Sequence, residues 1–185
     1  MSWLLLVLGI ALWWGAHLFK RLAPAQRAAL GDAGKGILAV ALVVSIVLMV
    51  IGYRGVDFIP VWSPPSFLIH LNNLLMVIAL YLFSPAAKRG KLVYGMRHPM
   101  LTGVKIWAVS HLLVNGDLAA IVLFGGLLAW AVVEVIVINK SEPGWQKPTE
   151  PGTIAKDAMF LVGSVLLLGV IGYVHSLLGV WPFPS

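Results

Sequence analysis

The sequence predicts an all-α fold: a polytopic membrane helix bundle of about six transmembrane helices, with both termini on the non-cytoplasmic side. Three observations predict it. The first is composition: 60% of the 185 residues are hydrophobic and only 11% are charged. Mean hydropathy is +0.95, whereas a soluble domain is about half apolar and a quarter charged. The second is the succession of apolar runs, Trp3–Phe19, Gly36–Tyr53, Phe67–Phe83, Met100–Val114, Leu118–Ile138 and Ala158–Trp181. The third is the placing of the cations. Lys20, Arg21, Arg27 and Lys35 follow the first run, Lys88, Arg89, Lys91 and Arg97 the third, and Lys140, Lys147 and Lys156 the fifth. The opposite connections carry only Arg54. Such asymmetry puts the odd-numbered connections in the cytoplasm.

A span takes roughly 17 to 25 residues. Five runs meet that length. The fourth is short and interrupted by Lys105, but Asn115-Gly116-Asp117 reads as a hairpin joining it to the fifth. The first run lacks a basic start, and Trp13-Trp14 stands where a signal peptide has small residues, so it is expected to stay in the membrane. Among the connections, residues 20–35 hold a short amphipathic helix stopped near Gly31 and Gly34. Residues 54–66, with Phe58, Pro60, Trp62, Pro64 and Pro65, read as an interfacial cap. Residues 140–157, with three prolines, form an irregular loop. Trp3, Trp62 and Trp181 fall where an outer aromatic belt belongs. No internal repeat stands out, and residues 1–185 read as one transmembrane domain.

The absence of cysteine excludes disulfides, thiolate ligands and cysteine nucleophiles. A bound transition metal or haem must then use histidine, methionine or carboxylate. The net charge of +6 is distributed by loop. It marks membrane topology and lipid contact rather than a nucleic-acid partner.

The richest stretch is RHPMLTGVKIWAVSHLLVNGD, residues 97–117. It places a cation, a histidine and a proline at the mouth of an apolar helix, then a lysine and a second histidine inside it. Ionisable groups inside a span are costly and point to function. At about 100° per residue, Met100, Val104, Trp107, His111 and Asn115 share one face. His111 reads either as a buried histidine bonded to a neighbouring helix or as an axial ligand facing a cavity. Pro99 suits the first turn of a helix. Arg97 either snorkels or binds an anion. Glu134, inside the fifth run, is expected to pair with Arg97 or His98 across the hairpin, as a structural ion pair or a site carboxylate. His17 ends the first run one turn after Trp13-Trp14, and His70 shares a face with Asn73. His175 has no polar neighbour on its face. On depth alone, His70 is the histidine that matches His111.

The run from Arg97 to Val132 resembles the signature of the NnrU family of bacterial membrane proteins, and the similarity extends over most of the chain. That resemblance implies a multi-pass protein of the bacterial inner membrane, associated with denitrification and nitrogen-oxide metabolism. The family in turn resembles the zeta-carotene isomerases. Those share an RHP motif with a histidine thirteen residues later, as His98 and His111 here, and an early histidine followed by a basic segment, as His17 and Arg21 here. That resemblance implies haem b held by His17 and His111, with His70 as a competing ligand and Arg97 near a propionate. The isomerases carry a cysteine where this chain has Ala108. A further similarity, through His98, Gly103 and Glu134, is to membrane methyltransferases that use S-adenosylmethionine.

Three functions are therefore expected to compete. One is a haem b protein with a redox or sensing role. Another is an enzyme on a lipid-soluble substrate, either a haem-dependent isomerase or a methyltransferase. The third is an assembly factor for a reductase complex, using small-residue faces (Gly125, Gly126, Ala129; Gly163, Gly169, Gly172).

Overall fold

The computed structural model describes residues 1–184, which form eight α-helices and no β-strand. These are α1 (Ser2–Leu22), α2 (Pro24–Ala29), α3 (Ala33–Gly55), α4 (Leu68–Phe83), α5 (Ala86–Arg89), α6 (Pro99–Val114), α7 (Leu118–Ser141) and α8 (Ile154–Leu177). Every apolar run is a helix. Four of them (α1, α3, α7 and α8) are long and apolar enough to cross a membrane. Helix α4, expected to be full length, has 16 residues, as α6 has. At 1.5 Å per residue each is roughly 24 Å long, short of a hydrocarbon core of about 30 Å. The chain divides into two compact units, residues 1–62 with 116–143, and residues 63–115 with 144–185. The expected hairpin partners α6 and α7 belong to different units.

In the first unit, α1 and α3 run antiparallel at close range. Hydrocarbon supplies no hydrophobic drive between helices, so small residues that admit backbone contact set the interface. A Cβ on Gly9 would lie 2.8 Å from the Met49 amide nitrogen, and one on Gly52 would collide with the Leu6 backbone. Leu6 is fully buried there. The turn between them contains α2, opened by Pro24, and Gly31 at φ +53° ends it, as the sequence predicts. Helix α7 packs parallel to α1, with Ile10 against Gly126 and Trp14 Nε1 donating to the Gly126 carbonyl at 3.1 Å. The proline-rich segment holds the start of α7. Val61 and Trp62 amides donate to the Gly116 carbonyl (2.8 and 3.0 Å), and the Leu118 amide donates to Ile59. Asp117 caps α7 by accepting from the Ala120 amide at 2.9 Å, satisfying a donor that a helix start leaves open.

In the second unit, α4 and α6 are antiparallel. Gly103 lies against Phe83 and the Ala79 carbonyl, and Ser110 Oγ meets Met76 Sδ at 3.1 Å. Helix α8 is tied down at its first turn. Buried Asp157 accepts from Tyr81 Oη (2.5 Å) and from the Lys91 and Leu92 amides (2.6 and 3.2 Å). The end of the irregular loop is held by Gly152, whose amide donates to the Gly90 carbonyl, and by Thr153, whose amide donates to the Arg89 carbonyl.

Gly52→Ala is expected to destabilise the chain by about 1–3 kcal/mol through forced separation of α1 and α3. Gly36→Ala, where an added methyl meets open space, should be neutral. Thermal unfolding in detergent, followed by circular dichroism, measures both.

Candidate functional site

The first unit builds its polar cluster from two ladders of residues spaced four apart, which one helix face brings into line. Trp13, His17 and Arg21 rise along α1; Trp130 and Glu134 rise along α7. The His17 ring lies between two indoles, with centroids 4.3 Å from Trp13 and 4.5 Å from Trp130, and the two indoles meet edge-on at 5.3 Å. One turn further, Arg21 Nη1 donates to Glu134 Oε1 at 3.0 Å, and Arg21 Nη2 donates to Glu142 Oε1 at 3.2 Å. Glu134 is 6% exposed at its side chain, against 55% for Glu142. The partner of Glu134 is thus Arg21, rather than the expected Arg97 or His98. The reason is register: α1 and α7 are parallel neighbours, which puts the end of α1 beside the middle of α7.

Four buried polar atoms of this cluster have no hydrogen-bond partner: Trp13 Nε1, Trp130 Nε1, Arg21 Nε and Glu134 Oε2. Three are donors and one is an acceptor. Buried polar groups are paired in the great majority of cases, so a concentration of orphans in one place asks for a ligand or water.

His17 Nδ1 lies 3.0 Å from the Trp13 carbonyl oxygen. A carbonyl only accepts, so Nδ1 carries the proton and Nε2 holds the lone pair of the neutral ring. In the second unit His111 does the same. Its Nδ1 donates to the Trp107 carbonyl at 2.9 Å and its ring sits 5.0 Å from the Trp107 indole. Both histidines thus close a Trp-x-x-x-His step with one geometry, and they belong to different units.

The other predicted residues fall as follows. His70 is exposed on the first turn of α4. The contact of Ser110 with Met76 sets it roughly 8 Å out of level with His111, by about five residues of helical rise. His175, which has no polar neighbour on its face, donates from Nδ1 to the Ile171 carbonyl at 2.8 Å. His98 is the N-cap position of α6, with Pro99 in the first turn as expected. Arg97 stacks over the Trp145 ring at 5.8 Å, and Lys147 lies over Tyr94 at 5.1 Å, so aromatic faces hold two cations of this region. Lys105 is half-buried. Asn115 closes α6 by donating to the His111 carbonyl. Gly103 serves helix contact. Of the small-residue faces, Gly126 and Gly172 are packed against Ile10 and Phe183, while Gly125, Gly163 and Gly169 face open space. Among the described residues, no group of three or more acidic or histidine side chains is arranged to hold a metal ion.

Sequence reasoning missed the partnership of Arg21, the approach of Trp130 to His17, and Asp157. The signal for the first two was present: Arg21 is four residues after His17, and Trp130 four before Glu134. Nothing in the sequence said that the two ladders face each other.

A chain with four long apolar helices, carrying an ion pair between two of them, is a helical membrane protein. Its family follows from the sequence: a family model described as NnrU protein matches residues 5–182, and the chain belongs to that family. No curated protein and no solved structure matches it.

Arg21→Ala leaves a buried carboxylate without its cation and should cost about 3–5 kcal/mol, whereas replacing both partners by apolar residues (Arg21→Met with Glu134→Leu) should recover most of that loss. Equilibrium unfolding of the two variants in mixed detergent micelles makes the comparison.

Proposed function

We propose that this chain is an integral membrane protein of the bacterial inner membrane that binds haem b and acts in nitrogen-oxide metabolism, in a redox or sensing role. Membership of the NnrU family supports the metabolic assignment. The observation that carries the haem reading is the pair of Trp-x-x-x-His steps. In each, the backbone holds the Nδ1 proton, so the ring is set in the tautomer that presents Nε2. Metal-ligating histidines are oriented in this way by a second hydrogen bond. The residues present therefore fit the group. His17 in the first unit and His111 in the second are each prepared as an iron ligand, and no cysteine competes for iron. Bound haem would supply one-electron chemistry or diatomic-gas binding. The chain's own part is to orient the imidazole, exclude water with Trp13 and Trp130, and keep Arg21 paired with Glu134. Arg97, beside the start of α6, is the cation suited to a propionate.

The methyltransferase reading is the weaker one. Gly103 is occupied in helix packing, and Glu134 is occupied by Arg21. We further propose six spans with both termini outside, from the asymmetry of cations between alternate connections.

Absorption spectra of the detergent-purified protein, oxidised and reduced, should show low-spin haem b bands. His17→Ala and His111→Ala should each abolish or broaden them, and His70→Ala should leave them intact. Bands that survive both His17→Ala and His111→Ala, or no bands after haem supplementation, would refute the assignment. The chain has no native cysteine, which makes labelling clean. Asp57→Cys in intact cells should react with an impermeant maleimide, and Gln26→Cys should react only after permeabilisation. The reverse pattern would invert the topology.

A further inference from the structure

The haem reading uses His17 and leaves the orphaned donors of the same unit unexplained. Trp130 is 4% exposed, yet its Nε1 has no acceptor, and the buried Trp13 Nε1 and Arg21 Nε have none either. An indole N–H donates and never accepts. Three open donors against one open acceptor describe a place for a ligand rich in acceptor oxygens.

Charge narrows the class. The Arg21 guanidinium is matched by two carboxylates, Glu134 and Glu142. The cluster therefore has no spare positive charge, and a carboxylate- or phosphate-headed lipid would meet net repulsion. A neutral carbonyl meets none. The walls are aromatic: Trp13, His17 and Trp130 approach one another within 4.3 to 5.3 Å between ring centres, a surface suited to a flat conjugated head.

The same two helices carry an apolar groove one turn away. It is lined by Val7, Ile10, Ala11 and Trp14 of α1 and by Val122 and Gly126 of α7. Its one indole N–H, on Trp14, is already taken by the Gly126 carbonyl. The groove therefore offers contact to a hydrocarbon tail and nothing to a polar head. The open donors are on Trp13, which precedes Trp14 on α1, and on Trp130, one turn after Gly126 on α7.

We propose that the α1–α7 face of the first unit binds a neutral, lipid-soluble carbonyl compound of the isoprenoid-quinone type. The carbonyl oxygens accept from the Trp13 and Trp130 indoles, and the tail lies along the groove from Trp14 to Val7. This goes beyond the haem assignment and does not require it.

The test uses the full chain in lipid nanodiscs, titrated with decylubiquinone as the probe. Calorimetry should show saturable binding, and infrared difference spectra should show the quinone carbonyl stretch shifted down on binding, as hydrogen bonding to an N–H requires. Trp130→Phe keeps the ring and removes the donor. It should weaken binding by roughly five- to tenfold, the effect of one buried neutral hydrogen bond, and reverse part of the infrared shift. Val122→Trp should obstruct the tail and weaken decylubiquinone without moving the carbonyl stretch of a tailless benzoquinone. Absence of saturable binding would overturn the proposal. So would an unchanged affinity and unchanged carbonyl frequency in the Trp13→Phe, Trp130→Phe double variant, or tighter binding of decanoate than of decylubiquinone. The titration is repeated on His111→Ala. Retained quinone binding there, with haem bands lost, supports this site separately from the iron assignment. Haem bands retained in Trp130→Phe with quinone binding unchanged would sink the site and leave the iron assignment standing.

Discussion

The ion pair of Arg21 with Glu134 is the interaction on which the first unit depends. Two charges taken out of water cost several kcal/mol each unless they meet, and their attraction in a medium of low polarity is correspondingly strong. With Glu134 nearly buried, α1 and α7 have one axial register at which both charges are matched. That register lays His17 between Trp13 and Trp130 and sets Trp14 against Gly126. The aromatic cluster is in this sense a consequence of the charge match. Glu142 adds a second carboxylate at the more exposed end, where it costs little and keeps the guanidinium aligned.

The second unit solves the same problem with a different chemistry. Its buried carboxylate, Asp157, has no cation. It is satisfied by a phenol and two backbone amides, which pin α8 to α4 and to the turn after α5. Hydroxyls inside both units resolve their demands locally. Ser45, Ser110 and Ser164 each donate to a carbonyl three or four residues back on their own helix, which lets them face an apolar neighbour. The histidines follow the same rule through Nδ1. A device that satisfies one polar atom in hydrocarbon thereby fixes the tautomer and leaves the lone pair on the other nitrogen. Structural economy and ligand preparation come from one hydrogen bond.

What stays unsatisfied is confined to a few places, and the first unit holds most of it. Four of the five orphaned buried polar atoms among the described residues lie on Trp13, Arg21, Trp130 and Glu134; the fifth is Asn72 Oδ1. Such atoms are expensive where water is scarce. Their gathering beside His17 ties the two proposals to one face of α1, with the imidazole addressing a metal and the indoles addressing an oxygen acceptor.

The helices were legible from the apolar runs, most to within two or three residues, because length and hydropathy dominate in a bilayer. The turn at Gly31 was legible for the same kind of local reason, since a positive φ suits glycine. His17, His111 and Glu134 stood out as polar groups in apolar surroundings. The partner of Glu134 did not, because the expected hairpin at Asn115-Gly116-Asp117 suggested a neighbour that belongs to the other unit. The short α4 was misjudged because Phe67, although apolar, lies before its first turn. By itself the sequence determined which segments are helical and which residues are too polar for their setting. Only the tertiary structure decided which of those residues satisfy one another. Partner choice depends on helix register, and register is set by contacts between segments more than a hundred residues apart, as Arg21 and Glu134 are.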